Sequence, residues 1–271
     1  MRIFLITFEN FIYFCTSQSE TYVKKFVINI LKFPLMKPKL AIFDLDGTLL
    51  DTIDDLKEAV NHAMSLRGFP TFTRDEVMAM VGHGARNLMR KALPDGHKND
   101  NMVDAAYNDF RAYYITHIDT YTKPFAGIHD LLTKLHQEGV MLAVASNKFQ
   151  EGTEHLIKEF FSEIPFVAVL GGRPDFPLKP DPEIVGEVLR QAGIEKEDAV
   201  MIGDSDTDME TAANGGIMGI AVNWGYRDMR NIINMKIGPS MLRDASATAG
   251  SGTELLKVAE TAEELQQLLL P

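Results

Sequence analysis

Cysteine is almost missing from this chain, with Cys15 the single one in 271 residues. One thiol excludes an intrachain disulfide framework and a cysteine-rich zinc site. The composition fits a reducing cytoplasm. Basic residues are outnumbered, 27 Lys and Arg against 38 Asp and Glu, for a formal net charge of −11. That deficit argues against a nucleic-acid-binding face, which needs cations to meet phosphate charge. A small phosphorylated substrate stays open, because a few local cations and a metal dominate one pocket. No apolar run approaches the roughly 18 residues of a membrane span, so no membrane partner is expected. No fixed-period repeat is visible. What is present is an ordinary apolar fraction on a length that suits one large domain, or a core with a smaller insert.

Residues 1–35 stand apart as an N-terminal extension. They are rich in Phe, Ile and Tyr and open Met1-Arg2-Ile3-Phe4-Leu5-Ile6-Thr7-Phe8. Glu9 and Asn10 interrupt the apolar run early, and no cleavage site of the secretory kind follows. Two readings are open. One is an amphipathic extension that touches a membrane or partner. The other is translated upstream sequence with Met36 as the start. Met36-Lys37-Pro38-Lys39, directly before an apolar strand, favours the second.

From Leu40 onward, short apolar runs end in polar residues or glycine: Leu40–Phe43, Val140–Ala145, Ala199–Gly203 and Ile217–Val222, with Phe166–Leu170 a fifth. Runs of this length suit strands buried on both faces of a parallel sheet. Helical patterns lie between them. Ile128–Glu138 carries Ile128, Leu131, Leu132 and Leu135, then Gly139. Pro182–Ala192 carries Ile184, Val185, Val188 and Leu189, then Gly193. A glycine just past the last apolar position is a helix stop. Strand and helix in repetition predict an α/β fold, a doubly wound parallel sheet. In such sheets chemistry gathers at the carboxyl ends of the strands. The stretch Thr52 to Tyr121 breaks the alternation. It holds no convincing strand, but helical patterns at Ile53–Arg67, Arg74–Met80, Ala85–Leu93 and Met102–His117. The predicted organisation is a core of 36–52 and 122–271, with 53–121 an inserted helical cap. Asp228–Gly252 reads as a long loop, followed by a strand Leu255–Ala259 and a helix Ala262–Leu269.

The strand ends carry the candidate chemistry. Asp44 and Asp46 follow the first strand at i and i+2, on one face of an extended segment, and Gly47 permits a sharp turn. Paired carboxylates suit a hard cation, and also nucleophile and acid/base roles on either side of a reacting group. Ser146-Asn147-Lys148 follows a second strand, where a hydroxyl and backbone amides suit phosphate oxygens. Lys179, before Pro180-Asp181-Pro182, supplies positive charge. Gly203-Asp204-Ser205-Asp206-Thr207-Asp208 places three acids in five residues after a buried strand, a pattern for a metal site. Alone, each is also an ordinary turn, cap or loop residue.

Together, in this order and each at a strand end, these segments resemble the haloacid dehalogenase (HAD) superfamily. The resemblance is nearest to its phosphoglycolate phosphatase-like members with a helical cap. The signatures are Asp44-Leu45-Asp46-Gly47-Thr48-Leu49-Leu50-Asp51-Thr52, Ala145-Ser146-Asn147-Lys148, Lys179-Pro180-Asp181-Pro182, and Gly203-Asp204-Ser205 with Asp208. They span about Lys37 to Tyr226 and resume near Leu255. The resemblance implies a Rossmann-like HAD core and a Mg²⁺-dependent phosphatase acting on a small phosphorylated metabolite. It implies Asp44 as the nucleophile that forms an aspartyl-phosphate, and Asp46 as the acid that protonates the leaving alcohol and then activates water. It implies Mg²⁺ on the Asp44 carboxylate, the Asp46 carbonyl and Asp204, with Asp208 accessory and Lys179 offsetting charge. Gly47, Thr48, Ser146 and Asn147 are expected at the transferring oxygens. Asp46 separates the chain from the dehalogenases themselves, whose halide leaving group needs no proton. In the cap, Val81-Gly82-His83-Gly84-Ala85-Arg86 places two glycines before a helix, and His83 and Arg86 are candidates to read a substrate carboxylate or second anion, with a helix-joining turn carrying solvated His and Arg the other reading. Trp224-Gly225-Tyr226-Arg227 resembles a family loop near the site entrance, with aromatic packing its simpler reading. The same motifs are shared by a β-phosphoglucomutase-like phosphotransferase and by a pyrophosphatase, and a catalytically silent binding protein also keeps the fold. Phosphate released from a hexose 1-phosphate separates a phosphatase from a mutase.

Overall fold

The computed structural model describes residues 4–8, 11–15, 37–236 and 256–270. The chain falls into two units, Met1–Met36 (with Pro271) and Lys37–Leu270. In the first, strands β1 (Phe4–Phe8) and β2 (Phe11–Cys15) pair antiparallel, with Phe4 opposite Cys15 and Phe8 opposite Phe11. The rest of the extension lies outside the described residues.

The second unit begins with β3 (Leu40–Phe43) and β4 (Leu50–Asp51). Four helices follow: α1 (Ile53–Ser65), α2 (Arg74–Met80), α3 (Ala85–Ala92) and α4 (Asp100–Tyr114). β5 (Lys123–Pro124) and α5 (Ile128–Gln137) lead into β6 (Met141–Phe149), α6 (Gln150–Phe160), β7 (Phe166–Gly172) and α7 (Glu183–Ala192). Then come β8 (Ala199–Gly203), α8 (Asp206–Gly215), β9 (Met218–Val222), α9 (Met229–Lys236), β10 (Leu256–Ala259) and α10 (Ala262–Leu269). Among the described residues no helix is long and apolar enough to cross a membrane.

Six strands form one parallel sheet in the order β10-β9-β8-β3-β6-β7. The chain starts in the centre, builds outward through β6 and β7, then crosses back to build β8, β9 and β10. That reversal opens a crevice at the carboxyl ends of the strands beside the switch. Here those strands are β3 and β8, with Phe43 level with Ile202. Every residue of both is buried, which explains their unbroken apolar sequences. Leu40, Ile42 and Met201 pack with Ile184, Val185 and Val188 of α7 in one core cluster. Each such side chain contributes roughly 1.5–3 kcal/mol on burial. The strand ends that carry the site are thus pinned by the best-packed part of the molecule.

Several elements depart from the sequence pattern. β6 runs on to Phe149, so Ser146-Asn147-Lys148 lie within it and do not follow it, and the short strands β4 and β5 are not predicted. No helix is predicted over 150–160, yet α6 lies there. Its buried face is Gly152, Thr153, Leu156 and Ile157, half of it small or polar, so the apolar period is faint. The loop predicted over Asp228–Gly252 begins instead with α9, anchored by Met229, fully buried against Met209 and Ala221. Residues 237–252 of that loop lie outside the described residues.

The four-helix insertion leaves and rejoins the core side by side, because β4 and β5 pair antiparallel, Leu50 with Pro124 and Asp51 with Lys123. Asp55, 1% exposed, locks this junction. Its carboxylate accepts from the Tyr121 amide at 3.0 Å, the Thr122 amide at 2.8 Å and the Thr122 hydroxyl at 2.7 Å. Removing the acceptor strands buried donors, each of which is costly to leave unpaired. Asp55→Ala is therefore expected to lower stability by about 3 kcal/mol, read from the midpoint of urea unfolding. A loss below about 1 kcal/mol would mean water replaces the carboxylate there.

Candidate active site

Asp44 continues β3, and its amide still donates to Ile202 O at 2.9 Å, which holds it at the β3–β8 boundary. The chain then turns at Gly47, where φ is +89° and a Cβ would lie 2.3 Å from Asp204 Oδ2. Only glycine allows both that backbone and that approach. Asp204 follows β8 directly, 2% exposed. Its Oδ2 accepts from the Tyr226 amide at 2.7 Å and its Oδ1 from the Thr48 hydroxyl at 3.3 Å.

Lys179 joins these acids. Its ammonium donates to Asp208 Oδ1 at 2.6 Å and to Ala145 O at 2.8 Å, and sits 2.9 Å from Asp44 Oδ1. The last contact is an ion pair without hydrogen-bond alignment, and Asp44 Oδ1 is a buried oxygen that no hydrogen bond satisfies. Asp208 is also the third residue of a capping box: Ser205 caps α8, and Asp208 Oδ2 accepts from the Ser205 amide and hydroxyl. One carboxylate thus starts a helix and fixes the lysine. Burial pushes the Asp44 carboxyl up to about 6 against the pull of Lys179, with Asp208 adding to the rise. Burial likewise pushes Asp204 up to about 8, helped by the Asp208 and Asp44 charges. Burial by itself lowers the Lys179 ammonium, but Asp208 and Asp44 outweigh it and hold the group above its ordinary range.

Asp46 faces the other way from this cluster. Its Oδ1 accepts from the Thr52 hydroxyl at 2.7 Å and from Lys148 Nζ at 2.9 Å, with Oδ2 3.3 Å from the same ammonium. Lys148 is 6% exposed and donates further to the Tyr114 hydroxyl at 2.6 Å. Tyr226 accepts from the Thr52 amide at 2.8 Å, bracing the residue that braces Asp46. Lys148 and Tyr226 both lie within segments the sequence singles out, but neither carries a predicted role. Lys148 reads as the tail of a phosphate loop and Tyr226 as packing, because their partners are distant in sequence.

A solvent-open cleft of about 640 Å³ lies over these groups, lined from the core by Asp44, Asp46, Ser146, Asn147, Lys148, Asp204, Ser205, Tyr226 and Arg227. The helical insertion supplies Leu56, Val81, Gly82, Gly84, Ala85, Leu88, Phe110 and Tyr114. The insertion is seated on the core through main-chain carbonyls. Arg227 donates to Met78 O and Val81 O at 2.7 Å, and the Asn147 carboxamide donates to Gly82 O at 3.0 Å.

Several expected site residues are placed differently. Arg86 is not among the cleft-lining residues. Its guanidinium is exposed and paired with Asp104 and Asp100 of α4, whose charges lie on the next helix of the insertion. His83 is exposed and also absent from the lining. Gly84 beside it serves close approach: a Cβ there, where φ is +80°, would sit 3.0 Å from Leu178 Cδ1. The Gly47 and Thr48 amides donate to Leu50 O and Leu45 O, which closes the turn and takes them away from any ligand. Asn147 lines the cleft, but its carboxamide is committed to Gly82 and to the main chain of Lys179. Ser146 lines the cleft, 2% exposed.

The acids fit a hard divalent cation. Asp44, Asp204 and Asp208 each bring one carboxylate oxygen, all within 4.8 Å of one another and all buried. Burial raises the carboxyls of two of them, with neighbouring acids adding to the rise, and Asp44 Oδ1 lacks a hydrogen bond. An all-oxygen donor set of this kind suits Mg²⁺ better than zinc. Asp208 is held by the charged Lys179 ammonium and by Ser205, whereas Asp204, among the described residues, accepts only from the neutral Thr48 hydroxyl and Tyr226 amide, so Asp44 and Asp204 are the candidate direct ligands.

A family model described as haloacid dehalogenase-like hydrolase matches residues 41–222. Phosphoglycolate phosphatase 1 of Pseudomonas aeruginosa is 35% identical over 205 residues, covering 74% of this chain and 75% of that protein. A phosphoglycolate phosphatase of Mesorhizobium japonicum is 31% identical over 198 residues, covering 71% and 86%. Among solved structures, a proposed phosphoglycolate phosphatase from Lactobacillus delbrueckii subsp. bulgaricus superposes with a TM-score of 0.72 at 33% identity. The match covers 87% of this chain and 99% of that one.

The raised carboxyls set a pH signature for the metal-free protein. An unfolded Asp titrates near 3.9, while folded Asp44 and Asp204 titrate at about 6 and about 8. Between those values the folded state keeps protons that the unfolded state has released, so stability falls as pH rises. In EDTA the melting temperature is expected to be lower at pH 8 than at pH 5.5, and Asp204→Asn should flatten that slope. Mg²⁺ should raise the melting temperature more at pH 8, where protons no longer compete. A melting temperature at pH 8 that ignores Mg²⁺ would remove the cation from this site.

Proposed function

This chain belongs to the haloacid dehalogenase-like hydrolase family, and from that premise we propose that it hydrolyses a small phosphomonoester through an aspartyl-phosphate on Asp44. 2-Phosphoglycolate is the first candidate substrate, by likeness to the relatives that carry that name. The observation that carries the reading is Asp44 itself. A buried carboxylate oxygen lies free of hydrogen bonds beside a lysine, in a cleft, with a second carboxylate two residues on. An oxygen so placed is available to attack.

In the proposed reaction an Asp44 oxygen bonds to phosphorus as the phosphorus–alkoxide bond breaks. Asp46, in its acid form, gives its proton to the departing oxygen. Asp46 then takes a proton from water, the water oxygen bonds to phosphorus, and the acyl-phosphate bond breaks to free phosphate and restore Asp44. Lys179 holds positive charge at Asp44 throughout, which lowers repulsion between nucleophile and phosphoryl oxygens. Mg²⁺ held by Asp44 and Asp204 would add positive charge at the same place. Thr52 and Lys148 keep the Asp46 carboxyl fixed between its two proton transfers. Ser146 is the hydroxyl facing the transferring group. We read residues 53–121 as the cap and 36–52 with 122–271 as the core.

The cleft needs a cation for a second anionic group on the substrate, and Arg227 supplies it in place of Arg86. Arg227 lines the cleft and uses two of its donors on Met78 O and Val81 O. A guanidinium has five.

Asp44→Asn is expected to lower Mg²⁺-supported phosphate release by at least about a thousandfold, as loss of a nucleophile does, with an unchanged thermal melt. Residual activity of a few per cent would remove Asp44 as nucleophile. Arg227→Ala should raise KM for 2-phosphoglycolate by about tenfold or more, the value of a charge-assisted pair, and raise it less for p-nitrophenyl phosphate. Arg86→Ala should change neither by more than about twofold, as an exposed ion pair implies. The reverse pattern would return the anion-reading role to Arg86.

A further inference from the structure

Tyr114, the last residue of α4, brings a hydroxyl from the helical insertion to within one side chain of Asp46. It is 1% exposed, with its ring stacked on Phe110 at 5.2 Å and edge-on to Phe149 at 6.2 Å. A phenylalanine would serve that packing equally well. A phenolic oxygen in such a place is costly unless it is bonded, and here it accepts from Lys148 Nζ at 2.6 Å. The same ammonium lies 4.6 Å from the centre of the Tyr114 ring. A lysine has four methylenes and three donors and is free to point in many directions. The Tyr114 hydroxyl and the two Asp46 oxygens leave this one a single pose.

The insertion meets Lys148 at Tyr114, and its seat on the core is made elsewhere, through Arg227 on Met78 O and Val81 O and Asn147 on Gly82 O. Tyr114 is the point at which that seating touches the chemistry. We propose that Tyr114 is a positioning residue: the seated insertion delivers its hydroxyl to Lys148, and Lys148 then aims the Asp46 carboxyl at the leaving oxygen. Proton transfer is therefore assembled where the insertion meets the core. This rests on the reading of Asp46 as acid and base. It adds that the acid is aligned from the insertion through a lysine. Tyr114 also lines the cleft, but the role proposed for it runs through Lys148.

The test uses two esters in parallel. 2-Phosphoglycolate has an alkyl leaving group that needs a proton, whereas p-nitrophenolate leaves with little help. Tyr114→Phe keeps the ring and loses the bond. It is expected to lower kcat on 2-phosphoglycolate by about tenfold, a modest part of the range for acid catalysis, and on p-nitrophenyl phosphate by less than about twofold, with KM nearly constant on both. Lys148→Met, which fills similar space without the charge, should give the same split more strongly. In the Lys148→Met background Tyr114→Phe should change nothing further, since it acts through the lysine. A general loss of packing would lower both substrates together and would add to the Lys148→Met effect. Either result overturns the proposal. A wild-type protein that turns over both esters while Tyr114→Phe shows no split sinks this inference alone. A wild type that releases phosphate from neither ester sinks it together with the phosphatase reading. Should Tyr114→Phe melt early, the split in Lys148→Met decides the case by itself.

Discussion

The ion cluster of Lys179 with Asp44 and Asp208 is the interaction on which the rest of the molecule depends. Three carboxylates lie at the ends of two buried strands, each less than a tenth exposed. Without a counter-charge they would repel one another and resist ionisation. At an effective dielectric near 20, a contact of this length is worth roughly 6 kcal/mol per pair before desolvation, and removing one partner of a buried pair is far costlier than never having built it. The lysine is accordingly held from several directions, by Ala145 O and Asp208 on its ammonium and by Asn147 on its amide. Even so, burial raises the Asp44 and Asp204 carboxyls, with neighbouring acids adding to the rise. Buried carboxylate oxygens of Asp44, Asp204 and Asp208 within 4.8 Å of one another could hold a metal ion.

The sheet topology makes that cluster possible. Only where the chain reverses its direction of building do two strands from distant parts of the sequence end side by side with a crevice between their continuations. β3 and β8 do so, with their register fixed by packing on both faces. The helical insertion then covers the crevice. It is attached at a narrow two-strand neck and seated by side chains of the core on its main-chain carbonyls. Asp46 and Lys148 lie under its edge, so the cluster of Asp44, Lys179 and Asp208 is built by the core alone, and the chain of Asp46, Lys148 and Tyr114 by core and insertion together.

Much of this was legible in the chain itself. β3 and β8 coincide with their apolar runs because strands buried on both faces leave an uninterrupted signal. Helix α2 was equally plain, with Thr73 and Glu76 forming the capping box that starts it. Helix α6 was faint because its inner face is partly glycine and threonine, and α9 because its buried anchor, Met229, stands in a polar stretch. At the site, Asp44, Asp46, Lys179, Asp204 and Asp208 announce themselves because each closes an apolar run or sits beside a turn residue. Lys148 has no such signature. It is an ordinary lysine until Tyr114, 34 positions earlier, is brought to it. Arg86 shows the opposite failure: a glycine-rich lead and a positive charge suggest an anion site, but the acids of the next helix claim the guanidinium first.

The sequence by itself determined which residues end the strands and what functional groups they carry, because strand burial and turn chemistry are local properties that composition and spacing express directly. Only the tertiary structure decided which charge meets which. Asp44 meets Lys179 across 135 positions, Asp46 meets Lys148 across 102, and Arg227 rather than Arg86 faces the cleft. Those pairings follow from strand order and from how the insertion is seated, and a long-range contact leaves no periodic trace in the chain that makes it.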